Sequence, residues 1–179
     1  MPGFYNDNEY DMTGTIVGVV EKKNIINGSN IQKDDVLIGL KSSGLHTNGY
    51  YLARKVLFPK YDVKDKPGGM NETIGEALLQ VHRSYLNNVK PLIEKQVLTG
   101  ISHITGGGII GNTSRIMPKD CELDIDWNSW ENLPIFELIQ NTGNISDEEM
   151  RKAFNLGIGM ILITRPEKVD TIISACQTD

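Results

Sequence analysis

A chain of 179 residues can fold as one large domain or two small ones around a sizeable core. Its 39% hydrophobic and 23% charged content is that of an ordinary globular protein, and a formal net charge of −5 excludes the basic footprint that sequence-independent nucleic-acid binding requires. Cys121 and Cys176 stand far apart outside any C-x-x-C, and "MPGFYNDNEYDM" has neither the basic nor the apolar region of a leader, so a disulfide framework, a thiolate zinc site and a membrane span are not expected, and a reduced, cytoplasmic setting fits.

In chain order, "DNEYD" (Asp7 to Asp11) reads as a solvated loop, with a magnesium-linked role as the alternative. "TGTIVGVVEKK" (Thr13 to Lys23) is rich in β-branched residues and ends at the turn signal "NGSN", so a strand is expected. "DDVLIGLKSS" (Asp34 to Ser43) predicts a second strand, with Asp34 and Asp35 as turn caps rather than metal ligands. It runs into the polar loop "SSGLHTNG", and "YYLARKVLF" follows as a helix up to Pro59. Ile74, Leu78, Val81, Tyr85, Val89 and Leu92 recur at helical spacing, which predicts one long amphipathic helix kinked at Pro91. "VLTGISHIT" then predicts a strand, "IIGNTSRIM" a short helix and "CELDIDW" a half-buried strand. Pro134 opens a helix, Ser146 with Glu149 has capping-box spacing for another, "FNLGIGMILIT" is an apolar strand, and Pro166 starts a last helix. Intermixed strands and helices imply a layered α/β or α+β class.

Chemistry concentrates in two loops. "GGGIIG" (Gly106 to Gly111) formally matches G-x-G-x-x-G, but the helix available before Pro118 is short for a βαβ crossover, so a dinucleotide fold is a weak reading. A run of bare backbone there serves either as a tight turn or as a cradle of N–H groups for an anion. "GLKSSGLH" has the two glycines of a P-loop but Leu45-His46 where the Lys-Ser/Thr should follow the second, so a P-loop is rejected. His46 and His103 each stand where a strand enters a polar, glycine-bearing loop, the setting for an acid/base group or for a structural hydrogen bond. His82 falls within the expected long helix and reads as a surface or boundary residue. Ser42, Ser43, Thr47 and Asn48 supply donors in the first loop, and Thr105, Asn112 and Arg115 flank the second; turn formation and capping are their bland roles.

"MPGFY", "EYDMTGTIVGVVEK", "GLKSSGLHTNGYYLARKVL", "HITGGGIIGNTSRIMP" and "FNLGIGMILI", in this order, resemble the aminoimidazole ribonucleotide synthetases, the phosphoribosylformylglycinamidine cyclo-ligases of purine biosynthesis, over nearly the whole chain. The resemblance implies an α+β fold, a mixed sheet packed with helices and partly ferredoxin-like. It implies that residues 1–12 are the remnant of an interdomain segment, that 13–179 form the C-terminal synthetase-type domain, and that the N-terminal ATP-binding domain and a last strand are absent. In the family, ATP activates the formyl oxygen of formylglycinamidine ribonucleotide, an amidine nitrogen closes the imidazole ring, and ADP and phosphate leave. By the same resemblance Ser43, Gly44, Asn48, Gly49, Thr105, Gly106, Gly107, Gly108 and Asn112 bind substrate or phosphate, with His103 first and His46 second for proton transfer; no metal site is assigned to these residues. ATP and Mg2+ are cofactors of the intact enzyme, neither expected to bind this fragment tightly. The resemblance implies as partners the ribonucleotide, ATP and the missing N-terminal domain of its own chain, with a homodimer for the intact enzyme, and neither nucleic acid nor membrane. The alternatives are a sister ATP-dependent enzyme of the formylglycinamide ribonucleotide amidotransferase, selenophosphate synthetase or thiamin-phosphate kinase type, and a non-catalytic nucleotide-binding module. "VHRSYL" (Val81 to Leu86) departs from the family's "PTRIYV"-like run, so no ligand contact carries over to it.

Overall fold

Burial on both faces of a strand demands a near-continuous apolar run, and Ile158–Thr164 supplies it. The computed structural model, which describes residue 10 and residues 12–176, places this strand in the middle of a three-stranded sheet. The strands are β1 (Val36–Lys41), β2 (Gly100–His103) and β3 (Ile158–Thr164), in the order β1-β3-β2. Ile38 faces Leu162 across one pairing and Ser102 faces Ile161 across the other, and both pairings are antiparallel. The sheet among the described residues is therefore antiparallel rather than mixed, while the α+β class holds.

Seven α-helices surround it among the described residues: α1 (Tyr50–Leu57), α2 (Ile74–Leu78), α3 (Leu86–Glu94), α4 (Gly108–Thr113), α5 (Pro134–Gly143), α6 (Asp147–Ala153) and α7 (Val169–Cys176). Leu162 packs with Leu92 of α3 and Ile172 of α7 on one sheet face, whereas Ile161 and Ile163 pack with Ile31, Ile104 and Ile109 on the other. A separate apolar cluster ties α1, α2, α5 and α6 together through Leu57, Ile74, Phe136, Ile139 and Phe154. Local signals set the helix ends. Pro134 takes the first position of α5, Ser146 Oγ accepts from Glu149 N at 3.3 Å at the head of α6, and Thr73 and Glu76 form a reciprocal capping box on α2. Asp35 is a structural anchor, accepting from Arg165 and from Thr99 Oγ1.

Three sequence expectations fail. The long helix breaks between α2 and α3, because Ser43 Oγ donates to Val81 O at 2.6 Å, the carbonyl a continuous helix would have given to the N–H of Tyr85. Tyr85 itself is drawn into the core, its hydroxyl donating to Lys41 O at 3.0 Å. No strand forms over 13–23: this stretch is irregular until a 3-10 turn at Lys22–Asn24, with Ile16, Val17 and Val19 exposed. "CELDIDW" is not a strand either; Ile125 and Trp127 pack inward, but Asp126 turns the chain by accepting from Asn128 N and Ser129 Oγ. "MPGFY" and most of "DNEYD" lie outside the described residues, as do most of the expected interdomain remnant and the chain end.

Candidate functional site

The polar loop that leaves β1 is held from below by Asn155, just ahead of β3. Its side chain accepts from Ser42 Oγ at 3.0 Å and from Gly157 N at 2.9 Å, and donates to Gly44 O at 2.9 Å. So pinned, the loop reverses at His46, a buried residue with φ 59, in the left-handed region that non-glycine residues seldom adopt. The Tyr50 hydroxyl lies 2.8 Å from His46 O and 2.7 Å from Leu78 O and donates to one at a time. Gly49 caps α1, and Asn48 is carried to the second loop, its Oδ1 standing 3.2 Å from where a Cβ on Gly106 would be.

The glycine loop after β2 is organised by Asn112. This buried side chain accepts from Thr105 Oγ1 at 2.9 Å and donates to Gly108 O at 2.7 Å, its second N–H shared between the carbonyls of Thr105 and Gly106, so both of its donors are used within the turn. Gly107 and Gly108 have φ 105 and 65, and a Cβ on Gly108 would stand 1.8 Å from Arg151 O, so the bare backbone here admits the last turn of α6. Gly107 N–H donates to Lys152 O and Gly108 N–H to Thr105 O. The N–H groups of Gly106, Ile109 and Ile110 have no backbone acceptor among the described residues, and a side chain on Gly107 would lie 3.8 Å from an Arg115 guanidinium nitrogen.

Between the loops the three histidines meet. His46 and His82 stack with ring centroids 3.9 Å apart, and His82 Nε2 lies 3.3 Å from His103 Nε2. His46 Nε2 accepts from Ser43 N at 3.1 Å, while its Nδ1 is buried without a hydrogen-bond partner. Gly159 makes room for the cluster, since a Cβ there would stand 2.0 Å from Tyr85 Oη and 2.6 Å from His46 Cε1. Desolvation, reinforced by the neighbouring His82 and His103, pushes the His46 imidazole down to about 4. Burial also lowers His82, with His103 contributing, and pushes the Tyr85 phenol up to about 12. Near neutral pH His46 is an uncharged imidazole.

Of the groups expected at the site, the fold brings Ser43, Asn48, Gly106 and the pair His46 and His103 together. Gly44 lies at its edge, its carbonyl taken by Asn155, and a Cβ there would stand 3.3 Å from Gln80 Cβ. Missed were His82, hidden by a helical periodicity that tertiary contacts override, and Asn155, Tyr85 and Gly159. A lone glycine inside an apolar strand was the available signal for Gly159.

Residues 32–179 match the family model described as AIR synthase related protein, C-terminal domain. Among curated proteins, the phosphoribosylformylglycinamidine cyclo-ligase of Desulfitobacterium hafniense is 46% identical over 177 residues, covering 99% of this chain and 52% of that protein. The Syntrophus aciditrophicus protein of the same name is 47% identical over 97% of this chain and 50% of its own length. The chloroplastic one of Arabidopsis thaliana is 45% identical over 97% of this chain and 45% of its own length. The chain thus spans about half the length of these relatives. With its two loops and its central strand inside the matched region, the chain belongs to the family of AIR synthase related protein C-terminal domains.

Proposed function

We propose that this chain supplies the ribonucleotide-binding half of an ATP-dependent cyclo-ligase that converts formylglycinamidine ribonucleotide to aminoimidazole ribonucleotide. The observation that carries this reading is the meeting of the two loops, Asn48 against Gly106, with His46, His82 and His103 between them, in a chain 46% identical to a protein named as that enzyme. A phosphate of the ribonucleotide would be held by Gly106, Ile109 and Ile110 N–H groups and by Arg115, while Gly107, Gly108, Thr105 and Asn112 shape the turn that presents them. Ser43, Gly44, Asn48 and Gly49 form the facing wall. His103, exposed at the end of β2, is the better proton carrier. His46, held neutral by burial, is suited to orientation.

ATP and Mg2+ would be held chiefly by the part of the relatives that this chain does not span, and a second copy would complete the assembly. A partly ferredoxin-like chain course and a cytoplasmic setting accompany the reading; no helix of the described residues is long and apolar enough to cross a membrane. The test joins this sequence to the nucleotide-binding half of a relative and measures steady-state kinetics. His103→Ala should lower kcat about 10²-fold with little change in KM, as expected for a group acting in the transition state, and Arg115→Ala should chiefly raise KM. Normal turnover by both variants would overturn the assignment.

A further inference from the structure

The chain has three histidines, and all three converge on one spot. One ring nitrogen from each of His46, His82 and His103 lies within 4.8 Å of the other two, with His46 buried, His82 half-buried and His103 exposed. They come from three separate parts of the chain: the left-handed loop after β1, the irregular stretch between α2 and α3, and the end of β2. We propose that His46, His82 and His103 form a three-histidine site for a divalent transition metal of the zinc class, with a fourth position open to water or an anion.

Geometry and donor chemistry support the site. Four nitrogen or oxygen ligands at about 2.0–2.1 Å around a tetrahedral zinc stand roughly 3.3–3.4 Å apart. The two Nε2 atoms of His82 and His103, 3.3 Å apart, already match one edge. As a hydrogen bond that contact needs a proton on one nitrogen; with a metal, both lone pairs are used. His46 adds the second observation, a buried Nδ1 that finds no hydrogen-bond partner. Coordination through Nδ1 requires the Nε2–H tautomer, in which Nε2 gives up the bond it accepts from Ser43 N and donates instead to Ser43 Oγ, 3.1 Å away, whose own proton goes to Val81 O. Such an outer partner fixes the tautomer and aims the ring.

Closing the triangle requires His82 to turn out of its stack on His46. His82 belongs to no helix or strand, which leaves its side chain the freedom to do so. Imidazole donors with no carboxylate in the cluster favour zinc, copper or nickel over magnesium or calcium. The site does not rest on the cyclo-ligase reading, because binding of the metal needs neither substrate nor nucleotide.

The experiment titrates the chelator-stripped chain with Zn2+ by calorimetry and with Co2+ by visible absorption. One equivalent should bind stoichiometrically, Co2+ giving tetrahedral d–d bands without thiolate charge transfer. His82→Thr and His103→Ala, each at a site away from the buried core, should weaken Zn2+ at least about tenfold while circular dichroism stays unchanged. Cys121→Ser/Cys176→Ser should bind as the parent does. Absence of stoichiometric binding, wild-type affinity in His82→Thr, or loss of binding in the cysteine variant overturns the site.

Discussion

Within the single run "GGGIIG", two glycines answer to opposite constraints. Gly108 has φ 65 and faces Arg151 O, whereas Gly111 lies inside α4 with nothing within 4 Å of an added Cβ. Gly108→Ala should therefore cost about 2–4 kcal/mol from strain and overpacking, and Gly111→Ala should be neutral or stabilising by about 0.5–1 kcal/mol, both read from urea midpoints. Equal effects would mean that the run is a generic turn. His46 makes a pH prediction. Its folded-state value near 4 lies below the ordinary 6.5, so the folded state binds fewer protons than the unfolded one. The stability this represents is full above pH 6.5 and is lost as pH falls toward 4. Allowing for screening at a loop, it amounts to about 1–2 kcal/mol. His46→Asn, which tolerates the left-handed backbone, should flatten the urea-midpoint profile over this range in metal-free buffer, and an unchanged slope would contradict the burial argument. The composition of the two loops was readable because strand-to-loop transitions and turn residues are local signals. His82 was not, since its partner contacts come from residues far away in sequence.

Elements with strong local punctuation formed where the sequence placed them: α1 before Pro59, α5 from Pro134, α6 from Ser146 and the apolar β3. Three others did not. Alternation over "CELDIDW" produced an inward Ile125 and Trp127 without a neighbouring strand, and helical spacing over 74–92 was broken by Ser43 and Tyr85 reaching across it. The stretch 13–21 has the β-branched pattern of a strand with Ile16, Val17 and Val19 exposed and unpaired among the described residues. An unpaired apolar segment of this kind recruits another chain. Sedimentation should show concentration-dependent self-association of the chain, abolished by Val17→Glu/Val19→Glu without loss of the urea midpoint. A strict monomer, or an oligomer indifferent to the double substitution, would contradict it.

For the whole molecule, the chain matches about half the length of its relatives, and the acidic, nucleotide-holding groups that phosphoryl transfer needs are expected in the other half. Supplied with ATP, Mg2+ and formylglycinamidine ribonucleotide, the chain alone should make no aminoimidazole ribonucleotide above background; product formation would refute this division of labour. Family membership was legible because several ordered motifs span the chain, whereas the division of roles within the site was not, because Asn112 and two of the glycines spend their polar groups on one another and on α6. The central claim is that the two loops form a phosphate-reading ribonucleotide site. Its most direct test is an amide chemical-shift titration of the isotope-labelled chain with formylglycinamidine ribonucleotide and, separately, with the nucleoside lacking phosphate. Saturable shifts should centre on Gly106, Ile109 and Ile110, extend to His46 and His103, and vanish with the nucleoside. Shifts elsewhere, or equal binding of the phosphate-free compound, would contradict the account.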